Sequence, residues 1–137
     1  MDKRILVATD GMPHSKIAVS QAIDLAARAQ AELLVAVVNV ATGGARGPLL
    51  YAYSDADAAK IAHSAAEEAR KAGVKKVGEA VITSREADSG IVQYADEKKV
   101  DHIVVGTGDK HGLSRLVLGS VAADIARRAH CTVTIAR

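Results

Sequence analysis

Tryptophan and phenylalanine are absent from this 137-residue chain, and tyrosine occurs only three times. Stacking platforms for unpaired bases need aromatic faces, so a single-stranded nucleic-acid reader has almost no material here. An excess of one charge is lacking too. The 18 basic and 16 acidic residues leave a formal charge of +2, and Lys and Arg are scattered rather than gathered into a stripe. That argues against a phosphate-backbone surface. Cysteine occurs once, at Cys131, which excludes an intrachain disulfide and a site built from several thiolates. The four apolar residues Ile5 to Ala8 are too few for a signal-peptide core or a membrane span. A cytoplasmic protein with neither nucleic-acid nor membrane partners is expected.

Several catalytic signatures are missing as well. His14, His63, His102, His111 and His130 show no metal-ligand spacing. No Gly-x-x-x-x-Gly-Lys-Ser/Thr loop occurs, and Ser120 is not inside Gly-x-Ser-x-Gly. No catalytic constellation emerges.

What is present is apolar residues, 49% of the chain, enough for one continuous core. A single domain over residues 1–137 is expected. Strand-length apolar runs alternate with stretches of helical period, as βαβ crossovers and a mostly parallel sheet require. Strands are expected at Ile5 to Ala8, Leu33 to Val40, Lys76 to Ile82, Ile103 to Gly106 and Thr132 to Ala136. Helices are expected from His14 to Gln30, from Asp55 to Ala72, within Arg85 to Lys99, and from Ser120 onward. Gly73 supplies a stop for the second helix. Gly90 weakens the third, because glycine costs about 1 kcal/mol against alanine in a helix interior.

Leu33 to Val38 is apolar without alternation, which predicts a strand covered on both faces. Cys131, Val133 and Ile135 alternate with Thr132 and Thr134, which suits an edge strand able to pair with a second copy. Ala41 to Ser54 reads as a long crossover loop or a lid over a site.

The segment from Val105 to Ser120 holds Gly106, Gly108, Gly112 and Gly119 and ends where the last helix starts. Glycines at a strand end let backbone N–H groups face an anion, and a helix N-terminus adds unpaired donors. Gly119-Ser120 therefore suits phosphate, although glycine turns and a Ser120 cap would explain the same residues. Its spacing is not that of a dinucleotide fingerprint. Thr9-Asp10-Gly11 closes the first strand, and ligands in open α/β sheets bind where neighbouring crossovers diverge. Asp10 could accept a ribose hydroxyl or help hold Mg²⁺, or simply form a turn with Ser15 capping the helix.

These residues carry a family resemblance. Ile5-Leu6-Val7-Ala8-Thr9-Asp10-Gly11 with His14-Ser15, Asp101 to Gly106, Gly119-Ser120-Val121-Ala122 and Cys131-Thr132-Val133 together resemble a universal stress protein from end to end. The nucleotide-binding branch of that family carries Gly, two residues, Gly, nine residues, Gly, then Ser or Thr. Gly106, Gly119 and Ser120 match this pattern, and Asp109 stands in place of the second Gly. Its carboxylate could repel phosphate, with Lys110, His111 and Arg115 near in sequence to offset it. Thr132 stands where many relatives have Pro.

The resemblance implies a three-layer, Rossmann-like sandwich of the adenine nucleotide alpha hydrolase type. Its five-stranded parallel sheet would have the order 3-2-1-4-5. It further implies ATP, with Mg²⁺, held at the carboxyl edge of that sheet. Ala8, Thr9 and Val38 would contact adenine, Asp10 the ribose or metal, and Gly106, Gly108, Asp109, Gly119, Ser120 and Val121 would surround the phosphates. It also implies a homodimer through Thr132 to Ala136. Three functions follow: a nucleotide-binding regulator of a stress response, a nucleotide-free dimeric module that binds an unknown protein partner, or a weak ATPase that phosphorylates itself at Thr107, Ser114 or Ser120. Hydrolysis, if any, would be slow.

Overall fold

A computed structural model describes residues 3–107 and 119–137. Gly108 and Asp109, with the rest of the segment up to Leu118, lie outside the described residues. In chain order the elements are β1 (Arg4–Ala8), α1 (Pro13–Ala29), β2 (Glu32–Gly43), β3 (Leu49–Tyr51), α2 (Asp55–Lys71), β4 (Val77–Ser84), α3 (Ala87–Glu97), β5 (His102–Gly106), α4 (Ser120–Arg128) and β6 (Thr132–Ala136).

Strands β4, β2, β1, β5 and β6 lie side by side and parallel. Alternate residues of β1 divide the core. Ile5 and Val7 join Ala18, Ala22, Leu33, Val35, Ala66 and Ala69 on one face, beneath α1 and α2. Leu6 joins Ala36, Ile91, Ala95, Ile103, Val105, Ala122 and Ile125 on the other, beneath α3 and α4. This is the expected three-layer sandwich. Leu33, Val35, Ala36 and Val37 are wholly buried, as the unbroken apolar run of β2 requires of a strand covered on both faces.

The expected count of five strands needs correction. Among the described residues the sheet has six, ordered β3-β2-β1-β5-β6 with β4 also paired to β2. The five expected strands keep their third-second-first-fourth-fifth order, and the addition is β3, which falls in the expected loop from Ala41 to Ser54. There β2 runs on to Gly43, and Ala41 to Gly43 pair antiparallel with Leu49 to Tyr51. All three β3 residues are exposed.

Gly90 lies inside α3, against the expectation from propensity. A Cβ there would stand 2.8 Å from Ser84 Cβ and 3.2 Å from Ile82 Cγ2. The residue that weakens the helix is the one that lets α3 reach β4. At the far edge, Val133 and Ile135 of β6, with Cys131 just before it, pack against the core, while Thr134 Oγ1 lies 2.6 Å from His102 Nε2 on β5. No described helix is long and apolar enough to cross a membrane.

Candidate functional site

At the carboxyl ends of β1 and β5 the chain leaves the sheet in opposite directions, into α1 on one face and toward α4 on the other. The gap between those crossovers is a cavity of about 400 Å³. Ala8, Thr9, Asp10, Val38, Gly106, Gly119, Ser120 and Val121 all line it. The topology thus gathers in one place eight of the ten residues singled out from sequence, and the other two lie outside the described residues.

The turn from β1 into α1 is tied by its own side chains. Gly11 takes φ +78°, a conformation in which a side chain would be strained. Asp10 Oδ1 accepts from the Met12 N–H at 2.8 Å and from the Ser15 hydroxyl at 2.8 Å. Asp10 Oδ2 lies 2.9 Å from His14 Nε2. Thr9 Oγ1 and Ser15 Oγ, both buried, meet at 3.0 Å. Burial pushes the Asp10 carboxyl upward, but the Met12 N–H, the Ser15 hydroxyl and His14 outweigh it and hold the group below its ordinary value. Asp10 is therefore an ionised anchor of the turn. Ser15 lies within α1 and braces Asp10 instead of capping the helix from its N-cap position, which Met12 occupies.

Gly106 stands opposite. A Cβ on it would lie 2.7 Å from the His14 carbonyl oxygen and 3.0 Å from His14 Nδ1. Its glycine is needed for the close approach of β5 to the first turn of α1. Beyond it, the Gly119 N–H donates to the Thr107 carbonyl at 2.8 Å. Gly119 is the N-cap of α4, so Ser120 is its first residue and does not cap it. Among the described residues no side chain caps this helix, and no acid stands in its first turn. The N–H groups of a first turn have no partner within their helix, and here Ser120, Val121 and Ala122 border the cavity. The remaining helices sharpen the contrast. Residues at the starts of α1 and α3 also border the cavity and neither helix has a side-chain N-cap, whereas α2, which contributes nothing to it, is capped by Ser54 and carries Asp55 and Asp57 in its first turn.

The apolar wall is formed by Val38, Val40, Ile91 and Ala87, with Ala52 and Tyr53 closing one side. Tyr53 was not anticipated. Asn39, 2% exposed, donates to the Tyr53 carbonyl and accepts from the Tyr53 N–H, both at 2.9 Å. The Tyr53 hydroxyl reaches the Asp10 carbonyl at 3.4 Å, and burial together with the Asp10 charge raises its pKa. A lone Asn within the apolar run of β2 was the available signal, since a buried amide needs polar partners. Among the described residues, no group of three or more His, Cys, Asp or Glu could hold a metal ion. Both Asp10 oxygens are already engaged inside the turn.

Comparison with known proteins agrees with this architecture. The model of the universal stress protein family matches residues 1–137. The chain belongs to the universal stress protein family. Universal stress protein MJ0531 of Methanocaldococcus jannaschii is 34% identical, over 98% of this chain and 82% of its own length. Universal stress protein Rv1636 of Mycobacterium tuberculosis is 34% identical, over 97% of this chain and 94% of its own. A universal stress protein solved in complex with cAMP superposes with a TM-score of 0.76 at 30% identity, covering 99% of this chain and 97% of that one. The shared sandwich is the Rossmann-like fold expected from the sequence.

Proposed function

We propose that this universal stress protein is a cytoplasmic regulator that binds ATP or a related adenine nucleotide in the cavity between β1 and β5 and acts as a homodimer in a stress response. One observation carries the reading. The cavity combines an apolar wall, suited to a base, with the N-terminus of α4, which no described side chain caps and which suits phosphate. The cAMP complex of the structural relative supports an adenine nucleotide as the ligand class. Ala8, Thr9 and Val38 would border the base, and Gly106, Gly119, Ser120 and Val121 the ribose and phosphates. Gly108 and Asp109 belong to the phosphate end by their place in the family pattern. Mg²⁺ would come with the triphosphate instead of being held in a protein cage. No side chain is assigned to bond cleavage, and the role is regulation by occupancy.

Calorimetric titration of the nucleotide-stripped protein with Mg-ATP and with cAMP tests this, with Asp109→Gly alongside. Saturable binding of either ligand by the native chain is the expected result. Binding that appears only after Asp109 is replaced would contradict it and leave a nucleotide-free dimeric interaction module as the function.

A further inference from the structure

The three tyrosines are the whole supply of phenyl and indole rings in this chain, and they are placed very differently. Tyr94 packs with the core beneath α3 and α4, with Lys98 Nζ 5.8 Å from its ring centroid. Tyr51 stands exposed on β3. Tyr53 alone of the three borders the cavity. It is partly exposed, and it also packs against the cluster of Val37, Ala58 and Ala62.

Both ends of Tyr53 are held. Asn39 grips its backbone through two bonds of 2.9 Å, and its hydroxyl donates to the Asp10 carbonyl at 3.4 Å. The ring between these two anchors spans the distance from β2 to the end of β1. That is the apolar side of the cavity, where Val38, Val40 and Ala52 stand, whereas the N-terminus of α4 borders it on the β5 side. An aromatic ring offers a base a flat apolar face, and a ring already fixed in place gives up little freedom when the base arrives.

We propose that Tyr53 is the specificity-determining residue for the base, its ring serving as the flat contact for a purine. This rests on the nucleotide reading given above. The ligand class narrows to purine nucleotides. A two-ring base covers more of the tyrosine than a one-ring pyrimidine does, and stacking of a base on an aromatic side chain is worth about tenfold or more in affinity. Asn39 acts through Tyr53 as a positioning residue.

The test is calorimetric titration of the native chain, Tyr53→Leu and Tyr53→Phe with ATP and CTP, and with cAMP and cCMP. Leucine keeps an apolar side chain against Ala58 and Ala62 but removes the flat ring. The native protein is expected to bind the adenine form at least about tenfold more tightly than its cytosine counterpart, and Tyr53→Leu to bring that ratio close to one. Tyr53→Phe, which keeps the ring and loses only the hydroxyl, is expected to restore most of it. A ratio near one in the native chain, a ratio unchanged in Tyr53→Leu, or a loss in Tyr53→Phe as large as in Tyr53→Leu overturns the inference while leaving nucleotide binding intact. Failure of the native chain to bind any of the four overturns the nucleotide reading itself. Should Tyr53→Leu not fold, the ring-proton resonances of the native tyrosines decide. Those of Tyr53 should move upfield under a stacked purine while those of Tyr94 stay in place; binding that leaves Tyr53 unmoved overturns the assignment.

Discussion

At Gly106 a single hydrogen atom in place of a methyl group decides whether two elements can meet. A Cβ there would approach the His14 carbonyl to 2.7 Å, and a backbone atom cannot swing aside as a flexible side chain can. Gly106→Ala should destabilise the fold by about 1–3 kcal/mol, read as a lower urea midpoint at unchanged slope. Asp10 makes a second prediction, with a definite sign. Its folded pKa lies below the ordinary value, so the folded state binds that proton less readily than the unfolded chain. The contribution is complete above the ordinary carboxylate range and is lost as pH falls through the lower folded value. Asp10→Asn should therefore destabilise the protein at pH 7, and the gap between the two urea midpoints should narrow as the pH is taken toward 3. A gap that widens toward acid would contradict the account. Both residues were legible as site candidates because a strand end followed by Asp-Gly, or by a glycine loop, is a local pattern. That Asp10 spends its oxygens on the turn was not legible, since it depends on where Ser15 and His14 come round on the first turn of α1.

Among the elements, the inner strands β1, β2 and β5 could be read from unbroken apolar runs because burial on two faces leaves no alternation, whereas the outer strands alternate, β4 in exposure and β6 in residue type. β3 could not be read. Its three residues, Leu49, Leu50 and Tyr51, are exposed, so they carry no burial pattern, and the strand exists by pairing with the extension of β2. The position of Tyr53 was equally hidden, being set by a clamp from Asn39 fourteen residues earlier. Asn39→Leu removes that clamp and leaves the Tyr53 backbone groups without their side-chain partner. A loss of about 1–3 kcal/mol is expected, with faster amide exchange through residues 49–53 than elsewhere in the sheet. Helix α3 gives the opposite lesson. Local propensity counts Gly90 as a weakness, whereas packing against Ser84 and Ile82 demands it. Gly90→Ala should lower the urea midpoint despite its better helix propensity, and a higher midpoint would show that α3 can retreat from β4 at little cost.

For the whole molecule, the order of the parallel strands explains why the cavity lies where it does. β1 is central, its crossover to β2 runs on one side and β5 lies on the other, so the two chain directions part above their carboxyl ends. Apart from Val38, which lies within β2, the described residues of the proposed site reach the cavity from a strand end or a helix start. The second, smaller cavity, bordered by Gln30, Glu32, Gly73 and Lys76, lies at the opposite end of β2 and serves as an internal control. Amide chemical-shift mapping of the native protein during addition of ATP or cAMP tests the central claim most directly. Perturbations centred on Ala8 to Asp10, Val38, Gly106 and Gly119 to Val121, with Gln30 and Gly73 to Lys76 unmoved, are what the account predicts. Shifts centred on the Gly73 to Lys76 end, or no saturable shifts at all, would contradict it.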